Sequence, residues 1–248
     1  MDLLQNLPET KTLVSLLNHD AQTYLTDQQN ITFFAPNNNA FNENSVEFNS
    51  FYHTLPVYHL DWNMTLFEST SYNKSLLKLS FNNQQKTVES GMMLYANVLK
   101  TIPIGHQNSV VHIIDKILAT PSDIITTLTG LGFTKAKDML GSTSLPLNQQ
   151  LTVFIPNNQA FGTVDPATLG DDLLSQAHVS DKLVTSNLWT NKMMLTSLNG
   201  FKMTLIEKSK NDWQVCESLQ FPAKILSKDV LFDNGVMHII DQVLWPSI

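Results

Sequence analysis

The chain has 248 residues, of which 42% are hydrophobic and 15% are charged, a composition typical of an ordered globular protein with a polar, weakly charged surface. Its formal net charge is -7 and all of its basic residues are lysines, so it offers neither a basic face for phosphates nor the guanidinium group that recognises guanine. We therefore expect no nucleic-acid partner.

The first half of the chain is predicted to begin with helices and to continue with strands. Apolar residues at helical spacing predict two short helices between Leu3 and Leu25, separated at Pro8. The segment 31–41 runs from β-branched and aromatic residues through Pro-Asn-Asn to Ala-Phe, which predicts a buried strand, a turn and a short helix. The remaining predicted elements are a helix end at 48–56, strands at 76–81 and 87–90, and a closing strand at 110–118.

The second half repeats this plan. Thr120, Pro121 and Asp123 form a typical helix start with threonine as the N-cap, so helices are predicted from Thr120 to about Leu140. The later predicted elements are a strand, turn and short helix over 151–161, a helix at 171–178, and strands at 202–207, 213–216 and 223–226. Helices combined with a mainly antiparallel sheet define an α+β fold.

Two segments recur in register and divide the chain into two domains. Segment 31–41 returns as 151–161, with Thr, Phe, Pro, Asn-Asn and Ala-Phe at the same positions. The Val-x-His-Ile-Ile-Asp of 110–115 returns at 236–241. Matched beginnings and ends at a long spacing predict a duplicated domain. The predicted domains are 1–119 and 120–248.

These landmarks resemble the fasciclin (FAS1) family, whose pattern is Thr-x-Phe-x-Pro-x-Asn-x-Ala-Phe, then a central Tyr-His, then Val-x-His-x-Ile-Asp. The resemblance covers essentially the whole chain as two tandem copies. It implies that each domain is a wedge-shaped, mainly antiparallel sheet packed with several short helices. It also implies a non-catalytic role in adhesion, tethering or scaffold contact, with a protein partner or a homotypic contact.

The resemblance gives the central histidine a mainly structural role and also links this region to cell adhesion. The Tyr-His motif maps onto Tyr52 and His53 in the first domain. In the second domain the histidine maps onto His178, and Ala177 replaces the tyrosine. Tyr52 and His53 are therefore candidates for a partner contact as well as for a structural role, whereas His178 is expected to be structural.

The segment 227–236 is similar to the Lys-Asp-Ile-Leu type of segment that has been linked to integrin binding in animal fasciclin domains. The resemblance implies that Asp229 is the acidic ligand for a cation held by the partner, and that Val230 and Leu231 form its apolar flank. The alternative is an ordinary strand followed by an Asp-Asn-Gly turn. At the aligned position the first domain has Pro103, which cannot make the same contact.

Both domains carry a His-x-x-Asp motif in the closing strand, His112 with Asp115 and His238 with Asp241. Residues three apart in a strand point to opposite faces, so neither pair can converge on one metal ion or one substrate proton. We interpret each as a satisfied structural polar pair. The sequence also lacks a nucleophile with a base, metal-spaced histidines and a glycine-rich phosphate loop, so no enzymatic activity, metal or cofactor is expected.

Three N-glycosylation sequons begin at Asn30, Asn63 and Asn73, and they permit a secretory route. No run of about 20 apolar residues is present, so membrane attachment is expected only through an anchor outside this fragment. Because the chain begins and ends where a repeat does, we expect a fragment of a larger protein. That protein is predicted to be extracellular or at the cell surface; a vacuolar or other organelle lumen is the alternative.

Another class of function remains open at this point. An apolar groove between sheet and helices would instead make each domain a lipid or small-molecule binding module. That alternative predicts a sizeable apolar pocket, whereas adhesion predicts an exposed patch. A hydrolase would need convergent polar groups in a cleft, and the sequence shows none.

Overall fold

The computed structural model of the protein divides into two compact units, Met1–Pro121 and Ser122–Ile248. This division falls two residues after the predicted domain boundary. The side chains of 172–174 are not described. The structure describes residues 1–42, 46–141, 145–146, 149–162, 172–216 and 222–245.

The first unit begins with short helices and continues as a sheet. Its helices are α1 (Asp2–Gln5), α2 (Lys11–Leu16) and α3 (His19–Asp27). Its strands are β1 (Thr32–Pro36), β2 (Thr54–Leu55), β3 (Leu66–Ser69), β4 (Leu76–Asn82), β5 (Gln85–Glu89), β6 (Tyr95–Ile104) and β7 (Ser109–Ile114).

The second unit has a similar order of elements, except that its third helix lies between its first two strands. Its helices are α4 (Ile124–Gly130), α5 (Thr134–Leu140) and α6 (Asp172–Ala177). Its strands are β8 (Leu151–Pro156), β9 (Val179–Ser180), β10 (Met193–Thr196), β11 (Lys202–Ser209), β12 (Asp212–Cys216), β13 (Ala223–Phe232) and β14 (Gly235–Ile240).

Each unit contains a seven-stranded sheet with the same topology. The strand orders are β2-β1-β7-β6-β5-β4-β3 and β9-β8-β14-β13-β12-β11-β10. All neighbours are antiparallel except β1 with β7 and β8 with β14. Both duplicated segments therefore lie side by side as the parallel pair of each sheet. Every residue of these four strands is buried, which explains their nearly continuous apolar sequence.

Successive residues of the parallel pair supply the two faces of each sheet, because strand side chains alternate. In the first unit, Phe33 and Ile113 pack with the leucines of the helices, including Leu13 and Leu25. The next residues along the strands face the other way into a second cluster. This second cluster contains Phe34, Tyr52, Leu55, Trp62, Leu77, Leu79, Val88, Ala96, Ile114 and Leu118. The predicted α+β fold is confirmed in both units.

Some predicted boundaries are wrong for local reasons. Three helices, rather than two, occupy the first 27 residues, because Leu17 adopts an extended conformation and Asn18 caps a new helix. The second unit's first helix begins at Ile124 rather than near Thr120, because the Asp123 carboxylate accepts the backbone N–H of Thr126 at 2.9 Å and is itself the N-cap.

Candidate functional site

The central histidine of the first unit joins two distant parts of the chain. His53 Nδ1 donates to the Phe34 carbonyl oxygen at 2.8 Å, and Nε2 accepts the Leu118 backbone N–H at 3.1 Å. The ring thereby links β1 to the segment after β7 and is held in one neutral tautomer. Burial lowers the pKa of His53 to about 4, although both hydrogen bonds act in the opposite direction.

Tyr52 is buried beside His53, and its side chain also has a hydrogen-bond partner. Its hydroxyl donates to the Leu76 carbonyl oxygen at 3.0 Å, and burial raises the pKa of the phenol. The tyrosine therefore anchors the turn before β2 to strand β4. In this arrangement, neither Tyr52 nor His53 presents a surface to a partner. A partner role for them stays a prediction and would require this part of the core to open.

His178 has the equivalent position in the second unit. Its Nε2 accepts the Leu244 backbone N–H at 2.9 Å, and its carbonyl oxygen accepts the Phe154 N–H at 2.9 Å. His53 makes the same two contacts, through Nε2 with the Leu118 N–H and through its carbonyl oxygen with the Phe34 N–H. The match holds although Ala177 precedes His178 where tyrosine precedes His53. The histidine contacts therefore do not depend on the tyrosine.

The histidines of the closing strands make a second pair of equivalent contacts. His112 Nε2 donates to the His59 carbonyl oxygen at 2.8 Å, and its Nδ1 accepts the Thr101 hydroxyl at 2.9 Å. Burial lowers the pKa of His112 to about 4. His238 Nδ1 accepts the Asp229 backbone N–H at 3.2 Å, and its Nε2 faces the Val184 carbonyl oxygen at 3.2 Å.

Aromatic rings enclose both of these histidines. The His112 ring stacks on Phe34, with the centroids 5.5 Å apart, and meets the edge of Trp62 at 5.1 Å. The equivalent neighbours of His238 are Phe154 at 5.4 Å and Trp189 at 4.7 Å. A lysine lies over each tryptophan, Lys86 over Trp62 at 5.2 Å and Lys228 over Trp189 at 5.4 Å.

The aspartates of the His-x-x-Asp motifs hydrogen-bond to residues other than the histidines of these motifs. The Asp115 carboxylate accepts the backbone N–H and the side-chain amide of Asn97, both at 2.7 Å. Asp241 accepts the Lys224 backbone N–H at 2.7 Å. The interpretation of each motif as a polar pair is therefore corrected, since histidine and aspartate are satisfied by separate partners. Each aspartate lies one residue beyond the end of its closing strand.

Asp229 lies inside the second unit, at a bulge of β13 between the register positions of Ser227 and Val230. The residue is 1% exposed, and its φ is +60°. The carboxylate accepts the Ser186 backbone N–H at 2.7 Å and also the Ser186 hydroxyl. Val230 and Leu231 are buried too. A role of these three residues in binding a partner-held cation stays a prediction, and it would require the Ser186 contacts to break.

The strand pairing corrects the predicted equivalence of Asp229 with Pro103. Val230 faces Met237 and Ile102 faces Val111 at the same step of the sheet, so Asp229 corresponds to Thr101. The turn between β6 and β7 is two residues longer than the turn between β13 and β14, which shifts the alignment. In both units the residue at this position hydrogen-bonds to the histidine of the closing strand. Thr101 does so through its hydroxyl, and Asp229 through its backbone N–H.

Ser186, Asp229 and His238 lie close together but are not arranged for hydrolysis. The Ser186 hydroxyl donates to the Asp229 carboxylate rather than to the imidazole, and the Asp229 backbone N–H occupies His238 Nδ1. A nucleophilic serine needs a free base within hydrogen-bond reach of its hydroxyl. Within the described part of the chain, no group of three or more His, Cys, Asp or Glu could hold a metal ion.

The first unit contains an apolar pocket between α1, α3 and the strands β1, β6 and β7. Its lining includes Leu4, Leu25, Phe33, Ile104 and Val111. The space open to the centre of a water molecule is about 20 Å³, which is about the room that one water needs. An acyl chain or drug-sized ligand needs a pocket more than ten times larger, so this pocket gives the lipid-binding alternative no support.

Exposed apolar residues occur just before β6 and along its first half. Met93, Leu94, Tyr95 and Leu99 are 43%, 46%, 55% and 56% exposed, and we call these four residues the apolar patch. Met92 and Met93 have φ values of 61° and 58°, a region that costs free energy for side chains of this size. Sequence reasoning missed the patch, although Met-Met-Leu-Tyr in a loop is a signal that could have found it.

A family model described as Fasciclin domain matches this chain twice, over residues 8–121 and 131–246. The two matches together span most of the chain. The chain belongs to the fasciclin family. Each match covers one sheet with its parallel pair, so the suspected resemblance to fasciclin domains in tandem is confirmed.

Curated fasciclin relatives are similar at low identity. Periostin of Homo sapiens is 27% identical over an alignment of 203 residues, covering 74% of this chain and 22% of periostin. A fasciclin-like arabinogalactan protein of Arthroderma benhamiae is 23% identical over an alignment of 279 residues, covering 98% of this chain and 66% of that protein. The chain therefore spans about a fifth of the first relative and just under two-thirds of the second.

Among solved structures, the FAS1 domain pair of the insect cell adhesion molecule Fasciclin I is similar. The identity is 17% and the TM-score is 0.47, with 95% of each chain covered. In the described part of this chain, no helix has both the length and the apolar character needed to cross a membrane.

Proposed function

We propose that this chain is a non-catalytic module for adhesion, tethering or scaffold contact, and that it binds a protein partner or a second copy of itself. It acts outside the cell or at the cell surface, with a vacuolar or other organelle lumen as the alternative. In this proposal, any attachment to a membrane is supplied by sequence beyond these 248 residues.

The apolar patch is the observation that carries the proposal. Met93, Leu94 and Tyr95 are consecutive and largely exposed, and Leu99 follows on the same strand. Apolar side chains clustered in one place on a surface mark interaction sites more often than single exposed residues do. The backbone conformation of Met92 and Met93 is costly, and such strain concentrates at functional segments. A protein partner fits this surface because methionine and tyrosine are enriched in protein interfaces.

The internal polar contacts support a role without catalysis. The buried His53 and Asp229 and the half-buried Asp115 use their hydrogen-bonding atoms on the backbone of neighbouring segments. Groups occupied in this way stabilise the fold and are not available to a substrate.

A bead-clustering assay tests the proposal. The protein is attached to beads through its C-terminus, and clustering is followed with and without calcium, alongside adhesion of cells to a coated surface. A Leu94→Ser, Leu99→Ser double variant is expected to lose at least tenfold in clustering or adhesion, because it removes half of the patch. Leu16→Ser is the matched control, since Leu16 is 54% exposed and lies outside the patch.

The outcomes separate the contact surfaces. Equal clustering by the wild type and the double variant would show that the patch is not the contact. Selective loss in Asp229→Ala, with folding intact, would move the contact to the second unit. Neither clustering nor cell adhesion under any condition would contradict an adhesive role for these two domains.

A further inference from the structure

Strand β3 ends the sheet of the first unit and has an unpaired side. Within the described residues it pairs with β4 alone. A terminal strand presents a row of backbone donors and acceptors on which another chain can add a strand, and natural proteins protect such edges with lysine, proline, bulges or a cover. The strand, Leu-Phe-Glu-Ser, is only four residues long and carries one charge, Glu68, which contacts His59 Nε2 at 2.9 Å; it contains neither lysine nor proline. A bulky substituent beside the strand would add to the protection that its short length gives.

Two sequon asparagines flank this strand. Asn63 lies three residues before Leu66, and Asn73 lies four residues after Ser69. Both side chains are exposed, and neither hydrogen-bonds to another residue in the described ranges. Asn73 has a φ of 48° at the tip of the turn between β3 and β4, a conformation that asparagine tolerates better than most residues. A substituent on either amide would extend into solvent at one end of the edge.

We propose that Asn63 and Asn73 carry N-linked glycans and that these glycans close the β3 edge to the addition of another strand. The proposal rests on the secretory placement given under the proposed function. In the transfer, Nδ2 of asparagine bonds to the anomeric carbon of a polyisoprenyl-diphosphate oligosaccharide. The bond from that carbon to the diphosphate oxygen breaks, polyisoprenyl diphosphate leaves, and the amide nitrogen loses one proton to a base of the transferase.

The second unit provides an internal comparison. Its terminal strand β10 occupies the place of β3 in an equivalent sheet. The residues at the spacings of Asn63 and Asn73 are Thr190 and Gly200, and the sequence of this unit contains no sequon. Met194 of β10 is 63% exposed. The glycan protection is therefore specific to the first unit.

Mass spectrometry tests the modification. The chain is secreted from eukaryotic cells behind a signal peptide, and its intact mass is measured before and after digestion with peptide-N-glycosidase. Asn63→Gln and Asn73→Gly are each expected to remove one glycan mass; glycine retains the positive φ at position 73. Thr65→Ser, which preserves the sequon at Asn63, is expected to retain the glycan. Absence of glycan at either asparagine in the secreted chain would overturn the proposal.

Sedimentation of the same proteins tests the protection of the edge. The Asn63→Gln, Asn73→Gly double variant is expected to self-associate at tenfold lower concentration than the glycosylated chain. Adding Ser69→Lys, which places a lysine at the end of β3, is expected to restore the monomer. Adding Thr196→Lys at the same place in β10 is not. Full occupancy without any change in association, or rescue by both lysines, would overturn the protective role.

These readouts do not depend on adhesion. Glycan mass is measured without any partner. Sedimentation is measured in the Leu94→Ser, Leu99→Ser background, so that a homotypic contact through the apolar patch is not counted as pairing of β3. Circular dichroism and thermal melting of each variant separate loss of the glycan from loss of the fold.

Discussion

The buried histidines are the residues whose chemistry most constrains this protein. His53 and His112 are neutral because each ring uses one nitrogen as donor and the other as acceptor inside the core. Protonation of His53 would place a second N–H opposite the N–H of Leu118. The hydrogen bond that ties His53 to the segment after β7 would then be lost.

This arrangement predicts that the first unit loses stability in acid. The folded pKa of His53 is about 4, below the ordinary 6.5, so the unfolded chain takes up a proton first as the pH falls. The free energy of unfolding keeps its full value above pH 6.5 and declines between pH 6.5 and 4, by about 3 kcal/mol for one such histidine. Urea unfolding at pH 7.5 and pH 4.5 measures this loss.

Two variants test whether the loss of stability in acid comes from the buried His53 ring or from any histidine. His53→Gln is expected to lower stability at pH 7.5 and to remove about half of the decline between pH 6.5 and 4, since His112 in the same unit, whose pKa is also lowered to about 4, accounts for the rest. His106 is exposed, so His106→Gln is expected to leave the decline unchanged. An unaltered decline in His53→Gln would show that His53 is not its source.

Asp229 is predicted to stabilise the second unit through Ser186. Asp229→Ala leaves the Ser186 N–H and hydroxyl unpaired and places alanine at positive φ, so we expect a loss of about 2–4 kcal/mol in the free energy of unfolding. Asp229→Asn keeps an acceptor and tolerates the conformation, so it should lose less than half as much. Denaturant midpoints of both variants and of Ser186→Ala give the coupling between the two residues.

If Asp229→Ala left the unfolding midpoint unchanged, the contacts with Ser186 would not contribute to stability. The carboxylate would then be free for the partner role that the sequence suggests.

At the scale of elements, the parallel pair of strands leaves no space at its start. A Cβ built on Gly235, the first residue of β14, would lie 2.1 Å from the Leu151 carbonyl oxygen of β8. Because that atom belongs to the backbone of the neighbouring strand, the sheet itself would have to shift. The glycine therefore permits the close approach of β8 and β14.

Gly235→Ala is expected to lower the free energy of unfolding by at least about 2 kcal/mol, in the range of overpacked cores. Gly105, in the turn that precedes β7 in the first unit, has no atom of the described residues within 4 Å of a built Cβ. Gly105→Ala is the matched control and should be neutral or slightly stabilising. Chemical denaturation of both variants decides the matter; equal midpoints would contradict the packing argument.

On the scale of the whole molecule, each unit has its own pair of hydrophobic clusters. The clusters of the first unit draw on residues between Leu4 and Leu118. Those of the second draw on residues between Ile124 and Leu244. A unit of about 120 residues with a complete core is large enough to fold alone.

We therefore predict that 1–121 and 122–248, expressed separately, each unfold cooperatively. Each fragment should show a urea m-value of about half that expected for unfolding of the whole chain, because m scales with the surface area exposed on unfolding. Circular dichroism with urea titration measures both values. A separate fragment that lacks a cooperative transition would show that its core is incomplete.

The sequence determined the architecture of this protein because its strongest signals are local. The strand–Pro-Asn-Asn–Ala-Phe segments and the His-Ile-Ile-Asp strands recur in register, so duplication and the α+β fold followed from pattern alone. The nearly continuous apolar residues of β1, β7, β8 and β14 likewise predicted buried strands. Helix starts were predicted less well, since Thr120 and Asp123 are both good caps and only the packed chain selects one.

The contacts of the site residues could be read only from the folded chain. The sequence left Asp229 open as either a surface ligand or a strand residue, but a bulge turns its carboxylate inward to Ser186, 43 positions away in the chain. Asp229 corresponds to Thr101 rather than Pro103 because a turn differs in length by two residues, and that alignment is set by strand pairing. Burial and hydrogen-bond partners depend on residues far apart in the chain, and these cannot be derived from local spacing.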